Sequence, residues 1–133
     1  MSRLQLLDRS ARILAAVGFS SLAASCRHDV SAPGTDGLCT TPCVVSTDGS
    51  TFLPTFVTIA VGGTVRFEIV PAGDGNGHDV TFRPTASGIL PPGTPANIPV
   101  TLHGTVDRTF NTAGVFPYDC RVHPGMSGEI TVR

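Results

Sequence analysis

Apolar and polar residues alternate at every second position in several short stretches between Val44 and the C-terminus. Such alternation is typical of β-strands that place one face on a core and the other face in water. Downstream of residue 25, no stretch repeats its apolar residues with the period of a helix over three turns. The positions that the pattern predicts to face the core are Val57, Ile59, Val61, Val65, Phe67, Ile69, Val80, Phe82, Phe116, Tyr118, Cys120, Ile130 and Val132.

Glycine- and proline-rich stretches separate the alternating segments. The clearest are residues 71–77, 83–99 and 111–114, which read PAGDGNG, RPTASGILPPGTPANIP and NTAG. Several short alternating strands divided by such loops are typical of a β-sandwich. The sequence therefore predicts an all-β domain over residues 44–133, a β-sandwich of Greek-key type.

The first 25 residues have a different composition from the rest. Three arginines, Arg3, Arg9 and Arg12, precede the uncharged run ILAAVGFSSLAAS, which ends in small residues. This order is that of a secretory signal peptide, and the run is too short to remain as a membrane-spanning helix. Residues 1–25 are therefore predicted to direct export to the periplasm or another extracytoplasmic space.

The apolar run stops at Cys26. The stretch Leu22-Ala23-Ala24-Ser25-Cys26 resembles the lipobox of bacterial lipoproteins, in which the signal is cut before a cysteine that receives lipid. The match is imperfect because Ala23 stands where that motif prefers leucine, and ordinary cleavage after Ala23 is the alternative. A lipid on Cys26 predicts anchoring to the membrane. Residues 26–43 are polar and turn-rich and are expected to form a tether.

The charges exclude some classes of partner. The chain has 133 residues with a formal net charge of −1, and all its basic residues are arginines scattered along the sequence. Without a basic stripe or a charged block, we expect no nucleic-acid partner and no disordered interaction tail. The length fits one domain after the signal, and we expect a monomer.

The cysteines divide into two groups once Cys26 is set aside. Cys39 and Cys43 are separated by three residues, and in an exported protein a local disulfide is the default. A redox-active or copper-carrying cysteine pair stays open as an alternative. Cys120 is then left without a cysteine partner, and a metal is a good reason for an unpaired thiol in an exported protein.

Three soft donors are concentrated in the stretch YDCRVHPGMSGEITV. Cys120, His123 and Met126 follow one another at intervals of three residues. An upstream donor, His78, comes directly after a glycine-rich loop at the start of an alternating strand. Two imidazoles, a thiolate and a weak axial thioether are the donor set of blue-copper electron-transfer sites. Each residue alone has an ordinary structural explanation, but together they indicate a copper site.

With these residues in view, the chain resembles the cupredoxins, the family of plastocyanin, azurin and amicyanin. The resemblance extends beyond the donors to FLPTFVTIAVGGTVRFEI, GHDVTF and FNTAGVFPYDCRVHPGMSGEITV. It implies a cupredoxin-type sandwich that binds one type 1 copper. His78, Cys120 and His123 would be the strong ligands and Met126 the axial ligand. The short spacing from His123 to Met126 is similar to that of amicyanin.

Other polar residues near these motifs carry weaker expectations. Many cupredoxins have an asparagine that ties the two ligand loops together where this chain has Asp79, which when ionised only accepts hydrogen bonds. A carboxylate close to copper would favour Cu(II) and lower the reduction potential. His28 and His103 have no evident partners and are expected to be exposed. Tyr118 is expected to be structural, with a hydroxyl that needs a hydrogen-bond partner.

The resemblance implies a one-electron carrier between a redox donor and a redox acceptor, and not an enzyme. Copper oxidases and nitrite reductases need further histidines, and only His28 and His103 are spare. A copper-storage or copper-delivery protein is the alternative. We expect electrons to pass through the edge of His123, framed by small, apolar and uncharged residues around Pro124, Gly125 and loop 71–77.

Overall fold

The computed structural model describes residues 37–133. The predicted signal peptide, Cys26, His28 and most of the predicted tether lie outside the described residues. Residues 37–133 contain no helical segment that could span a lipid bilayer.

The described residues form nine β-strands and no helix. Most of the strands are short, four to seven residues, and they begin or end at the glycine- and proline-rich loops. They are β1 Cys43–Asp48, β2 Thr51–Leu53, β3 Phe56–Ile59, β4 Gly63–Ile69, β5 His78–Phe82, β6 Ile98–Thr101, β7 Gly104–Phe110, β8 Gly114–Asp119 and β9 Ser127–Val132.

The strands build two sheets that face each other. One has the order β2-β1-β4-β7 and the other the order β3-β9-β8-β5-β6. Strand β1 runs parallel to β4, and β3 runs parallel to β9, while the other neighbours are antiparallel. The predicted all-β sandwich is confirmed.

The predicted alternating positions supply much of the core, and buried residues of strands that the pattern did not identify complete it: Val45, Phe52, Ile98 and Phe110. Every predicted inward residue except Val61 is buried. Val61 is 51% exposed, so the prediction for it is wrong. Strand β3 ends at Ile59, and the chain then turns back through a hydrogen bond from Gly63 N–H to the Ala60 carbonyl (2.9 Å), with Gly62 at φ 82°. Val61 therefore lies in a turn, where alternation no longer applies.

Tyr118 on β8 occupies the middle of this core. The rings of Phe52 and Phe67 meet it edge-on, with centroids 4.9 Å and 5.5 Å away, and each such pair contributes about 0.5–1.5 kcal/mol beyond area burial. Gly128 lies opposite on β9, where any Cβ would overlap the Tyr118 ring. The described residues offer the hydroxyl no hydrogen-bond partner, contrary to expectation, and burial raises the pKa of Tyr118 above its ordinary value.

The N-terminal part of the described chain packs onto the sandwich. Cys39 and Cys43 are joined by a disulfide, and Cys43 is fully buried as the first residue of β1. Cys39 N–H donates to the Thr58 carbonyl on β3 (2.6 Å), in the other sheet. The disulfide loop thus links the two sheets. Cys39 and Cys43, which precede Val44, therefore lie against the sandwich.

Candidate metal centre

His78 and Cys120 meet because their strands are antiparallel neighbours. Strand β5 begins at His78, and β8 ends immediately before Cys120. The pairs Thr81–Asp119 and Phe82–Tyr118 set the register. This register brings the first residue of β5 and the residue that follows β8 to the same end of the sheet, although they are far apart in the sequence.

Three of the predicted donors converge in a buried cluster. Cys120 Sγ lies 3.8 Å from His78 Nδ1 and 3.5 Å from His123 Nδ1. The candidate ligand atoms of the three residues all lie within 4.8 Å of one another. Both rings turn Nδ1 toward the sulfur, so both Nε2 atoms point away from it. Burial, and secondarily the neighbouring His123, lowers the pKa of His78, which favours the neutral imidazole that a metal requires.

The loop from Cys120 to Met126 is closed by backbone hydrogen bonds. Cys120 N–H donates to the Met126 carbonyl (2.9 Å), and Met126 N–H donates to the His123 carbonyl (3.1 Å). Gly125 has φ 87°, a left-handed conformation that glycine adopts without strain. Met126 is buried, with 1% of its surface exposed. The loop therefore returns tightly to the sandwich and places the thioether with the other three donors.

Asp79 ties this loop to β5. Its Oδ1 accepts a hydrogen bond from Arg121 N–H (2.6 Å), and its Oδ2 accepts from Arg121 Nε (2.8 Å) and Thr81 Oγ1 (2.9 Å). The carboxylate is thus an acceptor in every contact. It joins the two ligand segments, which are the start of β5 with His78 and the loop from Cys120 to Met126, as the asparagine does in many cupredoxins. Burial acts to raise the pKa of Asp79, but hydrogen bonds from Arg121 and Thr81 outweigh burial and lower it. The charge of Asp79 is matched by the Arg121 guanidinium.

A second carboxylate lies on the outer side of the cluster. Asp74, in loop 71–77, places Oδ2 3.4 Å from His123 Nε2. The His123 side chain is only 8% exposed, whereas that of Asp74 is 51% exposed. Hydrogen bonds from Asn76 lower the pKa of Asp74. The expectation of an uncharged frame around His123 is therefore wrong, because loop 71–77 folds its one acid onto the ring.

The remaining candidate residues lie elsewhere. His103 is exposed in the turn between β6 and β7, as predicted, and it is not part of the cluster. The sulfurs of Cys39 and Cys43 are bonded to each other, in the pairing that the sequence favours. Within residues 37–133, Cys120 is the free cysteine.

The donor set fits type 1 copper. Two imidazole Nδ1 atoms face one unpaired cysteine sulfur, and a buried thioether comes from the same loop. Soft sulfur donors combined with imidazoles favour copper over hard cations such as magnesium or calcium, which prefer oxygen. The cluster of His78, Cys120, His123 and Met126 is suitable for one copper ion.

Solved structures similar to this chain include a nitrite reductase and amicyanins. The copper-containing nitrite reductase of Thermus scotoductus SA-01 is 30% identical over 77% of this chain, with a TM-score of 0.57. The chain spans only 24% of that protein. The amicyanin of Paracoccus versutus is 29% identical with a TM-score of 0.50, covering 68% of this chain and 79% of amicyanin.

A variant of amicyanin, solved in its reduced Cu(I) form at pH 4, is 25% identical with a TM-score of 0.52, covering 68% of this chain and 80% of that one. No protein-family model and no curated protein matches the chain. The strand arrangement, the copper-suited cluster and these structures agree with the resemblance seen in the sequence. The described domain has the cupredoxin fold and is similar in structure to amicyanin.

Proposed function

We propose that the protein carries single electrons through one type 1 copper ion. His78, Cys120 and His123 would bind the metal strongly, and Met126 would bind it weakly. The observation that supports this most is the convergence of two imidazole Nδ1 atoms on one buried, unpaired sulfur. A cysteine without a disulfide partner, facing two histidines, has the chemistry of a copper ligand.

The residues around the donors restrict movement, which suits electron transfer. His78 is held by β5, Cys120 by the end of β8, and the loop between Cys120 and Met126 by its own backbone hydrogen bonds. Asp79 fixes the two ligand segments to each other. Copper would supply the one-electron couple. A site with so few ways to rearrange would lose little energy to reorganisation when the oxidation state changes.

The path of the electron would run through His123. This ring is nearly buried, yet it belongs to the surface loop and is followed by the exposed residues Pro124 and Gly125. Its Nδ1 lies 3.5 Å from Cys120 Sγ, so the ring bridges the buried centre and the surface. A redox donor and a redox acceptor would each dock at this end of the sandwich.

A carrier is favoured over an enzyme. Residues 37–133 contain one cluster of three candidate metal ligands among His, Cys, Asp and Glu. The spare histidine of this part, His103, lies outside the cluster, so a second copper centre has no visible ligands there. Storage or delivery of copper is disfavoured because the donors are buried and fixed rather than exposed.

Export, lipid on Cys26 and a monomeric state complete the proposal. A disulfide suits an oxidising compartment. Cys39 is hydrogen-bonded to Thr58, which pairs with Thr131 near the end of β9. Met126 comes just before the start of β9. The six residues of this strand separate the two positions by about 20 Å. An anchor upstream of Cys39 would thus leave the copper end free to meet its partners.

The test is repeated reduction and oxidation of the copper-loaded protein under dialysis. A carrier keeps one copper per chain through every cycle, and its colour returns each time the protein is oxidised. Loss of copper on each reduction would contradict the carrier proposal and favour storage or delivery.

A further inference from the structure

Asp74 is placed to act on the copper ligand His123 from the surface side. Its Oδ2 lies 3.4 Å from His123 Nε2, the ring nitrogen that faces away from Cys120. His123 Nε2 is a buried nitrogen that forms no hydrogen bond in the described part of the chain, and Asp74 Oδ2 lies within ion-pair distance of it. A histidine that binds a metal through Nδ1 carries its proton on Nε2, so a carboxylate at this position is an acceptor for that proton.

The carboxylate is held in place by its own loop. Asp74 Oδ1 accepts from Asn76 N–H (2.9 Å), and Oδ2 accepts from Asn76 Nδ2 (2.8 Å). Backbone bonds from Ala72 N–H to the Asn76 carbonyl (3.0 Å) and from Gly75 N–H to the Ala72 carbonyl (2.9 Å) close the loop. The hydrogen bonds that close the turn do not involve His123. The turn therefore does not need the His123 ring in order to form.

The other carboxylate near the centre differs in its electrostatic surroundings. Asp79 faces the Arg121 guanidinium at 2.8 Å, which compensates its charge. Asp74 faces the imidazole itself. A carboxylate that accepts a proton from a metal-binding histidine fixes the ring and makes it a stronger donor. This effect favours the more highly charged metal ion.

We infer that Asp74 is a positioning residue for the copper centre, which holds the His123 ring with Nδ1 inward and lowers the reduction potential of the copper. The inference rests on the proposed function. Asp74, and not Asp79, would then be the carboxylate that lowers the reduction potential, because the Arg121 guanidinium compensates the charge of Asp79.

The test compares three variants with wild type. Asp74→Ala removes both the charge and the acceptor, and Asp74→Asn removes the charge but keeps an amide oxygen that can accept. Asp48→Asn is the matched control: it removes one exposed carboxylate that contacts no member of the cluster. The first readout is the reduction potential of the copper protein. The second is solvent exchange of the His123 Nε2–H in the copper-free protein, followed by NMR with exposed His103 as the internal reference.

The inference expects a higher potential in Asp74→Ala and Asp74→Asn than in wild type, and no comparable rise in Asp48→Asn. It also expects the His123 proton to exchange more slowly than that of His103 in wild type, and to lose this protection in Asp74→Ala. Equal potentials in Asp74→Ala and Asp48→Asn, or equal exchange in wild type and Asp74→Ala, would overturn it. A wild-type protein that binds copper and cycles reversibly in that case would leave the proposed function standing.

Discussion

The two ends of the sandwich both use cysteine, in opposite ways. At one end the sulfurs of Cys39 and Cys43 are bonded to each other and close a short loop. At the other end Cys120 has no cysteine partner, and its sulfur faces His78 and His123. The residue type is the same, so the atoms that surround each sulfur decide its role. One end of the molecule is built for stability, and the other is built for a metal.

The largest effect should come from the unpaired sulfur. Cys120→Ser replaces the thiolate by a hydroxyl, which copper binds poorly. We expect complete loss of the blue absorption and much weaker copper binding, measured by visible spectroscopy and metal analysis. Cys39→Ser/Cys43→Ser is the control at the other end and should keep full colour. A blue Cys120→Ser protein would show that the functional difference between the two ends is wrongly assigned.

Next in size is the loss of the carboxylate that joins the ligand segments. Asp79→Ala leaves the Arg121 backbone N–H and the Thr81 hydroxyl without their acceptor, at a cost of about 1–3 kcal/mol. Urea unfolding of the copper-free protein measures this cost. Asp79→Asn, which keeps one acceptor oxygen, should lose less. Equal stability of Asp79→Ala and wild type would mean that this network does not hold the copper end together.

Removal of the disulfide should lower the free energy of unfolding without changing the copper centre. Cys39→Ser/Cys43→Ser opens a loop with a sequence separation of four residues, and the loop-entropy relation gives a loss of about 2 kcal/mol. Urea unfolding is again the measurement, with copper content and reduction potential as companions. A change in the reduction potential of this variant would contradict the claim that the disulfide end and the copper end act independently.

The smallest effect concerns docking at the copper end. Pro124 is exposed beside His123, and Val61 is 51% exposed in the turn after β3, next to the carbonyl of Arg133. Pro124→Glu adds a charge where two molecules must approach to exchange an electron. The substitution should lower the rate of electron self-exchange at low salt, and the rate should recover as added salt screens the charge. Val61→Glu adds the same charge at the other end and should leave the rate unchanged. Equal rates in the two variants would contradict the His123 route.

The sequence was sufficient wherever the information is local. Cys120, His123 and Met126 lie within one short loop, and the alternation identifies the buried faces of most strands. It failed at Val61, where a turn interrupts the strand. It also gave no sign of β7, because Arg108 occupies a partly buried position on that strand and donates to the carbonyls of Ala96 (2.7 Å) and Asn97 (3.0 Å).

The contacts that refine the site are long-range and could not be read from the chain. The pairing of Asp79 with Arg121 depends on the register between β5 and β8. The approach of Asp74 to His123 depends on how a glycine-rich loop folds over the end of the sheet. The Asp-Gly-Asn stretch predicts a turn, but nothing in its sequence indicates which residue that turn contacts.

The binding of copper by Cys120 together with His78 and His123 is tested most directly by the visible spectrum of the oxidised, copper-loaded protein. We expect one copper per chain and an intense blue band, because a thiolate bound to Cu(II) would give strong charge transfer. A colourless protein after copper loading, or a spectrum without the thiolate band at one copper per chain, would contradict the assignment of the site.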